Sequence, residues 1–120
     1  MFNFRSIALL AIKFVDKNWD FFQDGWTVFH LAAREGDDQI LGWLYVTNPD
    51  GFGAITNNGR TALHTACLHG KVSAVKMIIQ CHPSLIKAKD SCGATPILDA
   101  VRCGNIEIIE MILSLNPEML

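Results

Sequence analysis

The side chains best suited to chemistry lie between residues 64 and 82. Histidine and cysteine bind zinc, and together they can act as base and nucleophile. Their spacing argues against a metal site, because His64 and Cys67 would share a helix face but no Cys-x-x-Cys or His-x-x-x-His pair accompanies them. We therefore expect no zinc at the five candidates, which are His64, Cys67, His69, Cys81 and His82.

Catalysis is no better supported. Cys81 beside His82 comes nearest to a nucleophile with its base, but such a pair needs a cleft, an orienting group and donors for an oxyanion. The sequence indicates none of these. Each glycine is isolated, so a phosphate-binding loop is not indicated either. We expect a non-enzymatic protein with no catalytic, cofactor-binding or metal-binding residues.

Composition narrows the class of protein further. The 120 residues are 50% hydrophobic and 18% charged, which fits a compact domain rather than a disordered chain. A formal charge of -2 without a basic block makes nucleic acid an unsuitable partner. The apolar run from Ile7 to Ile12 is too short for a membrane span or a secretory signal. We expect reduced cysteines and an intracellular protein, in the cytoplasm with the nucleus as a second compartment.

A period of 34 residues organises the chain. Three copies of a glycine, a threonine two places later, an alanine, a second glycine and a proline keep this spacing. Apolar residues at helical spacing lie between these markers, so each copy predicts two short helices. The recurring positions are Gly25, Gly59 and Gly93; Thr27, Thr61 and Thr95; Ala32, Ala66 and Ala100; Gly36, Gly70 and Gly104; and Pro49, Pro83 and Pro117.

Each recurring residue type has a local physical role. The first glycine permits a positive φ in a tight turn, and the threonine hydroxyl then caps the first helix. Pro96, directly after Thr95, suits the first helical position, where an amide donor would have no partner. The second glycine ends that helix. The proline ends the second helix, because its ring clashes with the preceding turn. Helices this short need stacking to be stable.

These units resemble the ankyrin repeat, whose first helix opens with the pattern Thr-Pro-Leu-His-x-Ala. The segment Thr61-Ala62-Leu63-His64-Thr65-Ala66 is close to it, and Thr27-Val28-Phe29-His30-Leu31-Ala32 matches well. The segment Thr95-Pro96-Ile97-Leu98-Asp99-Ala100 keeps the proline but has leucine in place of histidine. The resemblance implies that His30 and His64 tie turn to helix through hydrogen bonds. We expect the leucine to weaken only one local bond.

The resemblance predicts an all-α solenoid of antiparallel helix pairs joined by β-turn or hairpin loops. We expect repeats at residues 23–56, 57–90 and 91–120, with the second helix and connecting loop of a partial repeat in residues 1–22. Such limits are typical of a segment from a longer array. The final repeat carries Ile97, Ile108, Ile109 and Ile112 without polar replacements, so we expect an apolar end face and self-association of the chain.

Positions that vary while the recurring ones stay fixed are expected to contact a protein partner. By the resemblance, turn tips and the ends of the first helices line the concave groove. Trp26, Arg34 and Arg60 are the main expected contacts, because tryptophan and arginine predominate among interface hot spots. Two alternatives stay open: Trp26 covers the preceding turn around Trp19 and Phe21, and the arginines are simply solvated. The full set is Gln23, Asp24, Trp26, Arg34, Glu35, Asn57, Asn58, Arg60, Leu68, His69, Ser91 and Arg102, with Cys92, Ala94 and Cys103 beside them.

The sequence thus favours a scaffold or adaptor that binds a protein through the turn tips and the concave face of the first helices. The alternative is a regulatory segment of an enzyme or channel whose active domain lies outside these residues. Four stretches, at residues 24–26, 34–37, 63–66 and 92–95, are also similar to one particular member of the family. That narrower resemblance implies an adaptor with alanyl-tRNA synthetase as its partner.

Overall fold

The computed structural model describes residues 24–119. The helix expected at residues 5–13, the rest of the partial repeat, and Gln23 lie outside the described residues. Six α-helices form three pairs in the described chain, which has no assigned strand. They are α1 (Val28–Glu35), α2 (Asp38–Thr47), α3 (Ala62–Leu68), α4 (Val72–Cys81), α5 (Pro96–Cys103) and α6 (Ile106–Leu115). This arrangement confirms the predicted all-α class.

A short 3-10 turn opens with proline after each helix pair. These turns are Pro49–Gly53, Pro83–Lys87 and Pro117–Met119. Each second helix ends two residues before its proline, as the sequence predicts. Of the helices in residues 24–119, none is long and apolar enough to cross a bilayer.

Threonine precedes the first helix of each pair, but only two of the three hydroxyls cap it. The Thr27 hydroxyl accepts a hydrogen bond from the Phe29 amide at 3.2 Å, and the Thr61 hydroxyl accepts one from the His64 amide at 3.3 Å. Thr95 has the same extended backbone but makes no side-chain cap bond. A proline follows it, so one of the donors that usually need a cap is missing there.

Left-handed glycines follow the first helices, as predicted: Gly36 and Gly104 are the cap residues, and Gly70 comes one residue after the cap residue His69. Gly36 is representative, because its φ is 68° and its amide donates to the Ala32 carbonyl at 2.8 Å. A side chain rarely adopts this backbone conformation, whereas glycine does so without steric cost. Gly25 has a φ of 80° in the turn before α1, and the equivalent glycines of both classes also have positive φ angles.

The helix pairs stack in two layers around one continuous core. In the layer of first helices, α3 lies between α1 and α5, and in the other layer α4 lies between α2 and α6. Leu31, Leu63 and Ile97 fill the core from the first helices, and Ile78 and Ile112 fill it from the second helices; all five are fully buried. Neighbouring pairs thus supply the apolar contacts that short helices lack by themselves.

Backbone hydrogen bonds join the turns of successive repeats. The Asn57 amide donates to the Asp24 carbonyl at 2.7 Å, and the Ser91 amide donates to the Asn58 carbonyl at 2.8 Å. The turn tips therefore form one hydrogen-bonded row, which we call the turn row. The 34-residue spacing predicts that the tips lie side by side, but these backbone bonds emerge only in three dimensions.

Candidate functional site

The residues predicted to contact a partner lie along the turn row and at the ends of the first helices. We call this surface the recognition face. Most of its residues are exposed, whereas Trp26, Arg34 and Arg60 are half-buried. Contact with a partner stays a prediction for all of them. The described members are Asp24, Trp26, Arg34, Glu35, Asn57, Asn58, Arg60, Leu68, His69, Ser91 and Arg102.

His30 and His64 join neighbouring repeats as well as turn to helix. Nδ1 of His30 accepts from the Thr27 amide at 3.2 Å, so the neutral ring donates from Nε2 to the Arg60 carbonyl at 2.9 Å. His64 repeats the arrangement, and its Nε2 donates to the Ala94 carbonyl at 2.9 Å. Burial lowers the pKa of both imidazoles. The predicted tie between turn and helix is confirmed, and the bond to the next repeat adds to it.

The hydrogen bonds of His64 correct two of our predictions from the sequence. We expected Leu98 to weaken one local bond, but the equivalent His64 bonds both to its own helix start and to the next repeat, so leucine forgoes both kinds of bond. We also expected Ala94 to face solvent at a turn tip, and it is buried. Its amide donates to Asp90 Oδ1 at 2.9 Å and its carbonyl accepts from His64, which holds it between two repeats.

Arg60 lies in an ion-pair cluster that spans two repeats. Its Nη1 is 2.8 Å from Asp90 Oδ2, and its Nη2 is 2.7 Å from Asp99 Oδ2. The Arg60 side chain is 23% exposed and that of Asp99 is 0% exposed. Arg102, which is 63% exposed, adds a longer contact of 3.4 Å to Asp99 Oδ1. The guanidinium of Arg60 therefore forms ion pairs within the chain, and these pairs join the turn of one repeat to the first helix of the next.

Sequence reasoning missed Asp99, although a signal was present. Asp99 occupies the position that holds Leu31 and Thr65 in the preceding repeats. A carboxylate on the buried face of a short apolar helix needs cationic partners, because an isolated buried charge is too costly. The arginine 39 residues earlier supplies that charge across the repeat interface, and the sequence alone did not predict this pairing.

Asp90 was also missed, and it fixes the third turn. Its Oδ1 accepts from the amides of Ala94 and Cys92, each at 2.9 Å. The Ala94 bond is the main cause that lowers the pKa of Asp90, and the Cys92 bond and the Arg60 guanidinium add to it. An aspartate that bonds to amides two and four residues later is typical of a turn, so this role could have been predicted.

Trp26 and Arg34 form a layered pair on the recognition face. The Trp26 ring centroid is 5.5 Å from that of His30, and Cζ of Arg34 is 5.9 Å from the Trp26 ring centroid. This is within the range of a cation–π contact. Arg34 also pairs with Glu35 at 3.2 Å. The alternative in which Trp26 packs on Trp19 and Phe21 involves residues outside those described.

Two of the five candidates for chemistry, His64 and His82, make hydrogen bonds within the described part of the chain. Among residues 24–119, no group of three metal-binding side chains could hold an ion. Both ring nitrogens of His64 are hydrogen-bonded, and His82 Nε2 lies 2.9 Å from the Pro49 carbonyl. The four cysteines are free. Burial raises the pKa of the Cys67 and Cys81 thiols, which disfavours the nucleophilic thiolate.

A depression lies in the layer of second helices, between α4 and α6. It has a volume of about 300 Å³. It shares no residue with the recognition face, so substitutions in it can serve as controls for substitutions in that face. We call it the α4/α6 groove; Lys76, Ile79, Gln80, Met111, Ser114 and Leu115 line it.

The stacked helix pairs, the turn row and the histidines that bridge repeats define a helical-repeat solenoid, a class in which each unit is stabilised by its neighbours. A family model described as ankyrin repeats, in three copies, matches residues 29–119. The chain therefore belongs to the ankyrin repeat family. Domains of this family are generally protein–protein interaction modules and are typically not catalytic.

Proposed function

We propose that this chain is a scaffold or adaptor that binds a protein partner through the recognition face and performs no chemistry. The turn row is the observation that carries the proposal. Backbone bonds between successive turns hold variable side chains from three repeats on one continuous surface. A surface ordered before binding loses less conformational entropy when the partner docks, which favours recognition.

The recognition face also favours a particular kind of partner. Arg34, Leu68 and Arg102 occupy equivalent positions at the ends of three successive first helices, and each of them is solvent-accessible. They form a row in which an apolar side chain lies between two cationic ones. A matching segment has an apolar residue flanked by carboxylates, because arginine binds carboxylates through paired hydrogen bonds. We propose a partner segment of this composition.

Quantitative affinity capture from a cell extract tests the proposal. Wild type is compared with an Arg34→Ala, Leu68→Ala double variant and with a matched Lys76→Ala, Gln80→Ala variant in the α4/α6 groove. We expect recovery of the same partner to fall at least about tenfold for the first variant only, since loss of two contacts of about 1 kcal/mol each suffices. Loss with the groove variant and full recovery with the first would refute the recognition face. A captured domain from the same polypeptide would indicate the regulatory alternative.

One named partner can be tested directly. The residues 24–26, 34–37, 63–66 and 92–95 resemble ankyrin repeat domain-containing protein 16, and this favours alanyl-tRNA synthetase as the partner. Purified synthetase is titrated with wild type and with the Arg34→Ala, Leu68→Ala variant in a calorimeter. We expect heat of binding with wild type and much less with the variant. No heat with wild type would remove this partner and leave the recognition face to be judged by affinity capture.

A further inference from the structure

The turn at residues 56–59 contains the one Asn-Gly pair of the sequence, Asn58 and Gly59. Asparagine before glycine is chemically labile, because no Cβ hinders the glycine nitrogen from reaching the side-chain amide carbon. Asn58 is exposed, and its side-chain amide has no hydrogen-bond partner among residues 24–119. By contrast, Asn105 and Asn116 each accept a backbone amide through Oδ1 at 3.1 Å. The side chain of Asn58 is therefore free to react.

This turn is held by a weaker acceptor than the turn of the third repeat. The Thr56 hydroxyl accepts hydrogen bonds from the amides of Asn58 and Arg60, at 3.2 Å each. In the third repeat a carboxylate takes the equivalent place, because Asp90 Oδ1 accepts from two amides at 2.9 Å each. An ionised acceptor forms the stronger hydrogen bonds. The turn that carries the labile pair therefore opens more easily than the turn beside it.

Opening of the turn releases the nitrogen that would attack. In the closed turn the Gly59 amide donates to the Thr56 carbonyl at 2.9 Å. The amide must lose this proton before its nitrogen can attack the side chain of Asn58, so the hydrogen-bonded amide reacts slowly. Local opening breaks the bond and lets the backbone rotate until the nitrogen reaches Cγ.

We propose that Asn58 is a site of spontaneous deamidation and that the hydrogen bonds of Thr56 set its rate. The Gly59 nitrogen forms a bond to Cγ of Asn58, and the bond from Cγ to Nδ2 breaks. The leaving group departs as ammonia, which takes up one proton in place of the one that the Gly59 amide loses. Water then adds to either carbonyl of the five-membered succinimide ring and opens it to aspartate or to isoaspartate.

The two products change the recognition face in different ways. Both add a negative charge to it, but aspartate keeps the backbone, and the first repeat already carries Asp24 at the equivalent position. Isoaspartate adds one atom to the backbone of a turn whose Asn58 carbonyl accepts from the Ser91 amide at 2.8 Å. The consequence for binding rests on the proposed function: the added charge repels a partner segment that carries carboxylates, so the modified protein binds it less tightly.

Peptide mass mapping after incubation at mildly alkaline pH tests the proposal. We expect a gain of one mass unit at Asn58, with isoaspartate among the products, and no comparable gain at Asn105 or Asn116. Thr56→Ala should raise the rate at least about fivefold because two hydrogen bonds are lost, whereas Thr56→Ser keeps the acceptor and should react like wild type. Thr56→Asp should lower the rate about threefold, because it supplies the carboxylate of the third turn. Circular dichroism checks that each variant keeps its helices.

Two results would overturn the proposal. The first is an Asn58 that keeps its amide in wild type for as long as Asn105 does. The second is a rate at Asn58 that is the same in Thr56→Ala, Thr56→Ser and wild type.

Affinity capture measures the consequence for binding. Incubated wild type is compared with incubated Asn58→Gln, whose longer side chain closes the larger ring far more slowly. We expect recovery of the partner to fall for wild type alone, in proportion to the modified fraction. Equal recovery would refute the effect on recognition. Failure of fresh protein to capture any partner would count against the proposed function only, because the mass measurement needs no partner.

Discussion

The imidazoles of His30 and His64 combine two roles that would otherwise need separate side chains. Each ring accepts at Nδ1 from the amide that begins its own helix and donates at Nε2 to the following repeat. Only the neutral ring can do both, because a protonated Nδ1 would face the amide donor that it now accepts from. Protonation of either imidazole therefore destabilises the folded state.

We predict that the protein loses stability as the pH falls below 6.5. The pKa of both histidines is lowered in the folded chain, by burial first, from a usual value of 6.5. Just below pH 6.5 the unfolded chain binds more protons, so the free energy of unfolding decreases with decreasing pH and is fully retained above 6.5. Each histidine adds at most about 1.4 kcal/mol per pH unit.

Urea unfolding between pH 7.5 and 5.5 checks this prediction. The variant His64→Leu is the control, because Leu98 already fills the equivalent position in the third repeat. It should be less stable at neutral pH and should show a shallower pH dependence, because only one of the two buried imidazoles is left. An unchanged slope in the variant would mean that other groups cause the acid sensitivity.

Arg60 and Arg102 contact the same buried carboxylate, yet we predict very different effects when each is removed. Arg60→Ala breaks the 2.7 Å contact and leaves Asp99 with one loose partner, so we expect a loss of about 3 kcal/mol. Arg102→Ala removes a 3.4 Å contact from a mostly exposed side chain and should cost at most about 1 kcal/mol. Guanidinium chloride would screen these ion pairs, so urea midpoints at low salt give the comparison. Equal losses would contradict the ranking.

Sequence reasoning at the residue scale succeeded where the chemistry is local. The bonds of His30 and His64 to the helix start were predicted correctly, because they follow from a motif of six residues. The role of Arg60 was not predicted, because Asp90 and Asp99 lie 30 and 39 residues away along the chain. A buried pair of this kind depends on the stacking distance between repeats, which one sequence does not give.

At the scale of single elements, the turns before the first helices carry the sharpest constraint. Gly25 and Gly93 have nearly the same φ, 80° and 81°. A Cβ at residue 25 would lie 2.8 Å from the Asn57 amide nitrogen and 3.2 Å from the Thr56 carbonyl carbon, whereas a Cβ at residue 93 would meet nothing within 4 Å. An alanine would therefore cause the same backbone strain at both positions, but it would clash with neighbouring atoms only at residue 25.

We predict that Gly93→Ala destabilises the protein by about 1 kcal/mol, the cost of a left-handed residue with a side chain. Gly25→Ala should cost more by about another 1 to 3 kcal/mol, because the backbone of the next turn must move. Thermal unfolding of the two variants measures the difference. If both lost the same stability, φ strain alone would explain the turns, and the close packing of the turn row would not contribute.

Helix limits and stops could be predicted from sequence, because they depend on neighbouring residues. Prolines, left-handed glycines and two of the three threonine caps take the predicted roles. Thr95 makes no side-chain cap bond, although its backbone has the conformation of a cap residue. The pattern of residue types gives the position of a cap, whereas the hydrogen bond depends on a hydroxyl rotamer that the pattern does not specify.

For the whole molecule, the 34-residue period was sufficient to predict the solenoid, since equivalent residues at equal intervals must occupy equivalent environments. The period did not predict where equivalence fails. Ala94 is buried and Trp26 is half-buried at equivalent positions, and Asp99 carries a buried charge where Leu31 is apolar. Each departure depends on what the neighbouring repeat offers, so these differences determine the surfaces available for binding.

Neighbouring repeats stabilise each other. We therefore predict that a destabilising substitution in one repeat lowers the unfolding midpoint of its neighbour. All three tryptophans lie at or before residue 43, so tryptophan fluorescence reports on the first part of the chain. Ile78 is fully buried in the second repeat. Ile78→Ala should cost about 2 to 5 kcal/mol. Because the core is continuous, the fluorescence midpoint in urea should fall together with the helical signal in circular dichroism.

Ile112→Ala is the matched control for this coupling. Ile112 is the equivalent fully buried residue of the third repeat, one repeat further from the tryptophans. If coupling passes only between neighbours, this variant should lower the circular dichroism midpoint more than the fluorescence midpoint, because the third repeat can unfold first. Identical shifts of both signals in both variants would indicate a single cooperative unit. A fluorescence midpoint that Ile78→Ala leaves unchanged would contradict the shared core, since the first repeat would then be stable without its neighbour.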